Sequence, residues 1–327
     1  MADDMACCVA KYLVVADAMG HTTHGLALLP MYLDFMAEGQ MTLQGDWQVV
    51  RDTGGCITLD GALLPGAWLI DKAIDLALAR IATYGVVTVV IRRSHHTGAL
   101  AVYLPRLTDR GLLVELQCSG PAAKGVAPYG GTVPVMTPNP MAAGIPTRGD
   151  PVLLDVSSSI TTLNYARQLV ARGERFPAPW AMDAQGRPTD DAALVVAGKG
   201  SLLPTGGVDH GHKGYALGLL TEALTQGLGG YGRADSPTGM TMGVMLRVTD
   251  PAAFGGAAEF TRQTDWLANA CRNNPPVPGG PPVRVPGQAA LARQRTAATE
   301  GVPLISAVVL GLRTAADTLG VAWPVSL

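Results

Sequence analysis

Residues 86–91, Val-Val-Thr-Val-Val-Ile, constrain this chain more than any other segment. Every residue in the run is β-branched and nothing alternates apolar with polar, so it reads as a strand buried on both faces. A sheet covered on both faces needs helices around it, which predicts an α/β fold. The segment before it agrees: residues 66–82 place Leu69, Ala73, Leu76 and Ala77 at helical spacing. Residues 5–19 predict a largely buried helix stopped by Gly20, and a second helix starts near Pro30 and runs to Gly39. Further on, the patterns predict a helix over 99–109 that Pro105 disturbs and strands over 112–117, 152–156 and 241–249. They also predict helices over 213–226 and 288–319. Pro and Gly dominate 275–287, which reads as a linker.

With 48% apolar and 15% charged residues the chain can fill a core, and disorder is excluded. Its 327 residues suggest two parts, at roughly 150 residues per domain. We expect residues 1–115 with 288–327 to form a largely helical part and residues 116–287 a sheet-bearing part. A net charge of −2 with scattered basic residues argues against nucleic acid or an anionic membrane as partner. No apolar run approaches the ~20 residues of a spanning helix, and Asp3 and Asp4 stand where an export signal would be basic. The five cysteines are odd in number and lack close pairs, as expected of reduced thiols in the cytoplasm.

One familiar pattern is set aside. Gly227-Leu-Gly229-Gly-Tyr-Gly232 satisfies G-x-G-x-x-G, but a phosphate-binding turn needs a strand before it and a helix after it. Here a predicted helix comes first, so a glycine-rich helix exit is the better reading. The six histidines form close pairs (His21/His24, His95/His96 and His210/His212) with none of the carboxylate or cysteine spacing of a metal site, and no metal is expected.

The strings around those histidines carry more. Gly20-His-Thr-Thr-His24-Gly25 leads into Leu29-Pro30-x-Tyr32, and Arg93-Ser94-His-His96-Thr-Gly98 follows. Next come Ala127-Pro128-Tyr-Gly-Gly131, Asn139-Pro140, Leu154-Asp155-Val-Ser157 and Trp180-Ala-x-Asp183. His212-Lys213-Gly214-Tyr215, Asp250-Pro251-x-x-Phe254 and Val285-Pro286-Gly287 complete the order. In this order the strings resemble the malate/L-lactate dehydrogenase family that lacks a Rossmann fold. Its relatives include sulfolactate, ureidoglycolate and diketogulonate dehydrogenases and cyclic-ketimine reductases.

The resemblance implies a non-Rossmann α/β fold with a mixed, largely antiparallel sheet, working as a homodimer with NAD or NADP. The implied reaction moves hydride between the nicotinamide and a small 2-hydroxy/2-oxo acid or cyclic 2-imino acid. His96 and His24 would be catalytic, a histidine suiting proton exchange near neutral pH. Tyr32 and Lys124 would contact substrate. Asp155, Ser157, Ser158, Ser159, His212, Lys213, Gly287 and Gln288 would lie at the cofactor. A catalytically retired or non-redox binding protein on the same fold is the alternative.

Three positions depart from the family strings. Leu28 stands where an arginine would grip the substrate carboxylate, which leaves Lys124 or Arg93 for that task, or a different substrate. Thr137-Pro138-Asn139-Pro140 replaces Gly-Thr-Asn-Pro, and Gln288 replaces a glutamate.

Overall fold

The computed structural model describes residues 1–324. Its main sheet contains β1 (Gln48–Asp52), β2 (Cys56–Asp60), β3 (Val86–Ser94), β4 (Leu113–Ser119), β5 (Pro140–Ile145), β6 (Val152–Ser157) and β10 (Met242–Thr249). A second sheet holds β7 (Ala181–Asp183), β8 (Pro188–Thr189) and β9 (Gly200–Leu202). The helices are α1 (Asp3–Met19), α2 (Leu29–Ala37), α3 (Gly66–Leu78), α4 (Ile81–Tyr84), α5 (Pro105–Thr108) and α6 (Leu163–Ala171). They continue with α7 (Ala192–Val196), α8 (Gly207–Glu222), α9 (Ala257–Arg272), α10 (Gln288–Glu300) and α11 (Ser306–Leu319).

The main sheet has the order β1-β2-β3-β10-β4-β5-β6. Only β2 and β3 run parallel; every other neighbouring pair is antiparallel. Strand β10 slots between β3 and β4, so that Val89, Leu246 and Leu116 form one buried row across three strands. The doubly buried reading of β3 holds over Val89–Ile91: Val89, Val90 and Ile91 are consecutive, point to alternate faces and are all buried. Helix α3 covers one face, and the π turn Ala223–Gly227 at the end of α8 packs on β3 and β10 as well.

Several expected elements are redrawn. Pro105 splits the segment 99–109 into a 3₁₀ turn, Leu100–Tyr103, and the short α5. Gly301 and Pro303 split the tail into α10 and α11. Helix α8 starts at Gly207, earlier than expected, and kinks at His210. The hairpin β1–β2 and helices α6, α7 and α9 are not anticipated by the sequence reading. Strand β1 is wholly exposed and the three helices bury one or two residues each, which leaves little apolar period to read.

Helix α1 buries Met5, Val9, Tyr12, Leu13 and Ala16 along one face, packs on α3 and α10, and ends at Gly20 with φ of 88°. Helices from the two ends of the chain thus pack together, α1 on α10 and α2 on α11. The main core runs through α1, α3, α10 and the strands β2 to β6 and β10, and a smaller one around Val126, Leu169, Phe176 and Leu202 lies under α6, α7 and the second sheet. The set-aside glycines leave a helix, as anticipated, and Gly229 lies where a Cβ would meet Arg92 Cβ at 3.5 Å on β3. Asp183 forms an Asx turn at the β7–β8 hairpin, its Oδ1 accepting from Gln185 and Arg187 N–H groups at 2.9 Å each.

Candidate active site

The loop after α1 is held from below by a residue the motifs did not single out. Asp17 is buried, and its Oδ2 accepts the Leu26 N–H at 2.7 Å. A Cβ on Gly25 would fall 2.3 Å from the Asp17 carboxylate, so only glycine lets the two approach. His24 sits on this loop with its Nδ1 2.8 Å from Thr23 Oγ1. Nothing in the sequence marks Asp17 beyond an acid on the buried face of a helix.

The second histidine segment leaves β3 at its C-terminal end. Gly66, opening α3, packs so tightly on it that a Cβ would lie 2.4 Å from the His95 carbonyl oxygen and 2.6 Å from that of His96. The Tyr103 hydroxyl donates to the Thr97 carbonyl. His96 Nδ1 lies 2.7 Å from the Tyr32 hydroxyl and makes a longer contact, 3.4 Å, with the Gly98 N–H. A backbone N–H can only donate, so in this state Nδ1 accepts and the proton is on Nε2. The His24 and His96 rings stack with centroids 6.0 Å apart and planes 18° apart. The fold therefore brings His24, His96 and Tyr32 together.

Burial sets the charge of this cluster. It lowers the pKa of His96 to about 3, helped by neighbouring His24 and His95. Burial lowers His24 to about 4, with His21 adding to it, and burial alone lowers His95 to about 4. All three rings are neutral at pH 7. Among the described residues His95 has no hydrogen bond on either nitrogen, and it is boxed by Phe35 and Tyr32, at 5.1 and 6.3 Å between ring centroids.

The other candidate residues line up along β6. Leu153 meets Gly287, whose φ is 85° and where a Cβ would lie 2.7 Å from Leu153 Cβ. Asp155 Oδ2 accepts the Ala101 N–H at 2.8 Å and so holds the 3₁₀ turn that follows Gly98. Burial raises the pKa of Asp155, with His21 and the backbone N–H groups of Ala101 and Leu100 opposing. Ser158 and Ser159 are buried with their hydroxyls donated to the carbonyls of Pro138 and Thr161, while Ser157 donates to the Ser159 carbonyl. The Gln288 side-chain oxygen accepts the Val285 N–H. His21, Ala101, Asp155 and Gly287 border a cavity of about 220 Å³.

Beyond β6, Gly214 brings α8 against the Ser158 and Thr205 backbone, where a Cβ would lie 2.4–2.6 Å from its neighbours. His212 and Lys213 are exposed on α8, just after the kink at His210.

The fold leaves Lys124 apart from these groups in its contacts: it is exposed and forms no ion pair among the described residues. Arg93 is committed to Asp60 at 2.8 Å, beside Arg92. Leu28 is buried in the main core. Asn139, within the second departure, is buried with φ of 45°. It accepts from Thr137 and donates to the Gly218 carbonyl and to Glu222.

The family model for malate/L-lactate dehydrogenase matches residues 1–313. The chain belongs to the malate/L-lactate dehydrogenase family. It is 32% identical to the L-lactate dehydrogenase of Cupriavidus necator over 98% of this chain and 93% of that protein. It is 34% identical to the (2R)-3-sulfolactate dehydrogenase (NADP(+)) of Chromohalobacter salexigens over 75% of this chain and 74% of that one. The crystal structure of malate dehydrogenase from Entamoeba histolytica superimposes with a TM-score of 0.91 at 23% identity, covering 99% of this chain and 93% of that one, a likeness of fold. As a member of the malate/L-lactate dehydrogenase family, the chain is an oxidoreductase acting on small hydroxy or oxo acids with a nicotinamide cofactor.

Proposed function

We propose that this member of the family reduces and oxidises its acid with His96 as the proton carrier and His24 as its companion, Tyr32 holding the ring of His96. The single observation that carries the assignment is the 2.7 Å contact between Tyr32 and His96 Nδ1, which leaves Nε2 to face the substrate. In the free protein His96 is neutral. An incoming carboxylate restores the charged form, and the protonated Nδ1 then donates to the Tyr32 oxygen, which can accept as readily as donate. Nε2–H passes its proton to the substrate oxygen or nitrogen as C2 is reduced, and takes it back in the reverse direction. Lys124 is the candidate counter-charge for the carboxylate, since Arg93 is neutralised and Leu28 offers no charge. Without a guanidinium at position 28 the pocket also suits a cyclic 2-imino acid.

The residues along β6 fit a dinucleotide in kind. The cavity beside Asp155 and Gly287 has room for a ring, and Lys213 and His212 present positive or polar groups just after the kink of α8 at His210, where the second stretch of that helix begins and phosphate is favoured. Ser157 and the residues around Ser158, Ser159 and Gln288 belong to the same set; Ser158 shapes the loop, its hydroxyl and N–H both donating to the Pro138 carbonyl and its own carbonyl accepting the Thr205 N–H, and the Ser159 hydroxyl is likewise taken. When bound, NAD or NADP supplies or accepts the hydride. On the division into 1–115 with 288–327 and 116–287, His24 and His96 fall in one part and the nucleotide residues other than Gln288 in the other, with the main sheet shared between the two.

We place the protein in the cytoplasm as a homodimer. Five free cysteines support the compartment. The exposed Leu217, Leu220 and Leu228, on and just after α8, support a covered apolar face. No described helix is long and apolar enough to cross a membrane.

The test is oxidation of NADH and NADPH, followed by absorbance, against pyruvate, oxaloacetate, sulfopyruvate, diketogulonate and cyclic imines of proline and pipecolate. Turnover by the wild type and a loss of at least about 100-fold in His96→Ala is expected. Turnover that survives in His96→Ala would remove His96 from the role, and failure to bind either nucleotide would leave the non-redox alternative.

A further inference from the structure

Helix α11 packs chiefly on residues 26–28 and on α2, the segment that follows the His24 loop and carries Tyr32. The face it presents repeats at helical spacing: Val308, Gly311, Leu312 and Ala315 are all half-buried. A Cβ on Gly311 would meet Pro30 Cγ at 3.7 Å and, among the described residues, no other group within 4 Å, which fixes the side of α11 that looks at α2. Opposite it, Leu310 is 65% exposed.

The burial of these helices is lopsided. Helix α11 has no buried residue, and α2 has one, Tyr32. The preceding helix is different: α10 buries Leu291, lies along α1 and is tied by the bidentate Arg295–Asp150 pair. The chain is thus anchored up to Glu300, crosses 301–305 without an element, and sets α11 down on the back of α2. An element that buries so little adds little to global stability, and its contacts lie on the segment that touches both histidines. Tyr32 bonds to His96, and Phe35, one turn later on α2, stands edge-on to His95.

We propose that α11 is a positioning element for the active site: its half-buried face seats residues 26–37, and that seating holds the Tyr32 hydroxyl on His96. The inference rests on His96 being the proton carrier. Where α2 lifts, Tyr32 leaves Nδ1, the ring is free to turn and Nε2 loses its aim at the substrate, a small displacement of the kind that costs large factors in rate.

The experiment compares Leu312→Asp with Leu310→Asp, the same change on the outward face, and with Leu312→Met as the conservative variant. Leu312→Gln serves where Leu312→Asp fails to fold. Two quantities are read: steady-state kinetics on the acid the wild type turns over, and amide exchange of residues 26–37. Leu312→Asp is expected to lower kcat/KM about tenfold or more, through kcat, and to speed exchange in 26–37, with nucleotide Kd unchanged. Leu310→Asp and Leu312→Met are expected to match the wild type in both. A Leu312→Asp protein with unchanged kinetics or unchanged exchange overturns the proposal, as does an equal effect from Leu310→Asp. If the wild type turns over no acid, the proton-carrier reading fails separately, and unchanged exchange in Leu312→Asp still overturns the seating.

Discussion

At His96 the free protein keeps an imidazole neutral by burial, with a pKa lowered to about 3. The groups facing it are His24, His95 and Tyr32, none of them charged at pH 7. On the proposed role of His96, reduction needs the protonated ring, and above its pKa the protonated fraction of the free enzyme falls tenfold per pH unit. We therefore expect kcat/KM for the oxo acid to fall as pH rises between about 5 and 8, with a logarithmic slope near −1. A profile flat across that range would mean that the proton comes from another group. Leu28 belongs to the same scale: it is buried in the core, so no small rotation could bring a charge to the substrate from that position. The pairing of His96 with Tyr32 joins residues 64 apart in sequence, and no spacing rule could have shown it. The histidines themselves were visible because they stood inside ordered strings.

At the scale of elements, β6 is the strand on which the candidate cofactor residues converge, and Asp155 shows how one side chain joins two elements. Its carboxylate accepts the Ala101 N–H and so sets the 3₁₀ turn that carries the chain away from Gly98. Asp155→Ala removes that acceptor and is expected to cost about 1–2 kcal/mol in urea unfolding. Asp155→Asn keeps an oxygen there and is expected to cost about 0.5 kcal/mol or less. Equal losses in the two would show that the negative charge, and not the hydrogen bond, holds the turn. The sequence pattern located β6 to within a residue, since Val-Leu-Leu-Asp-Val is strand-like by itself. It said nothing of the turn, because capping across a sheet depends on what packs opposite. Asn139 makes the same point: a residue read as part of a loop string is a buried link between the start of β5 and α8.

At the scale of the whole molecule, α8 exposes Leu217, Leu219 and Leu220, with Leu228 beyond its end, a stripe more apolar than a solvated helix usually shows. A homodimer closed on this stripe would sediment as a dimer at micromolar concentration, and Leu220→Asp would shift it toward monomer. A wild type that sediments as a monomer at every concentration would remove the dimer, and a dimer indifferent to Leu220→Asp would move the interface elsewhere.

The sequence by itself determined the doubly buried β3, the stop at Gly20, the strand β10 and the ordered strings that mark the malate/L-lactate dehydrogenase family. Each is a matter of local propensity or of spacing, which neighbours along the chain settle between themselves. Only the tertiary structure decided that β10 lies between β3 and β4, that Asp17 grips the loop of His24, and that α11 rests behind Tyr32. These depend on which distant group satisfies a buried polar atom or covers an apolar face, and that choice is made by packing in three dimensions.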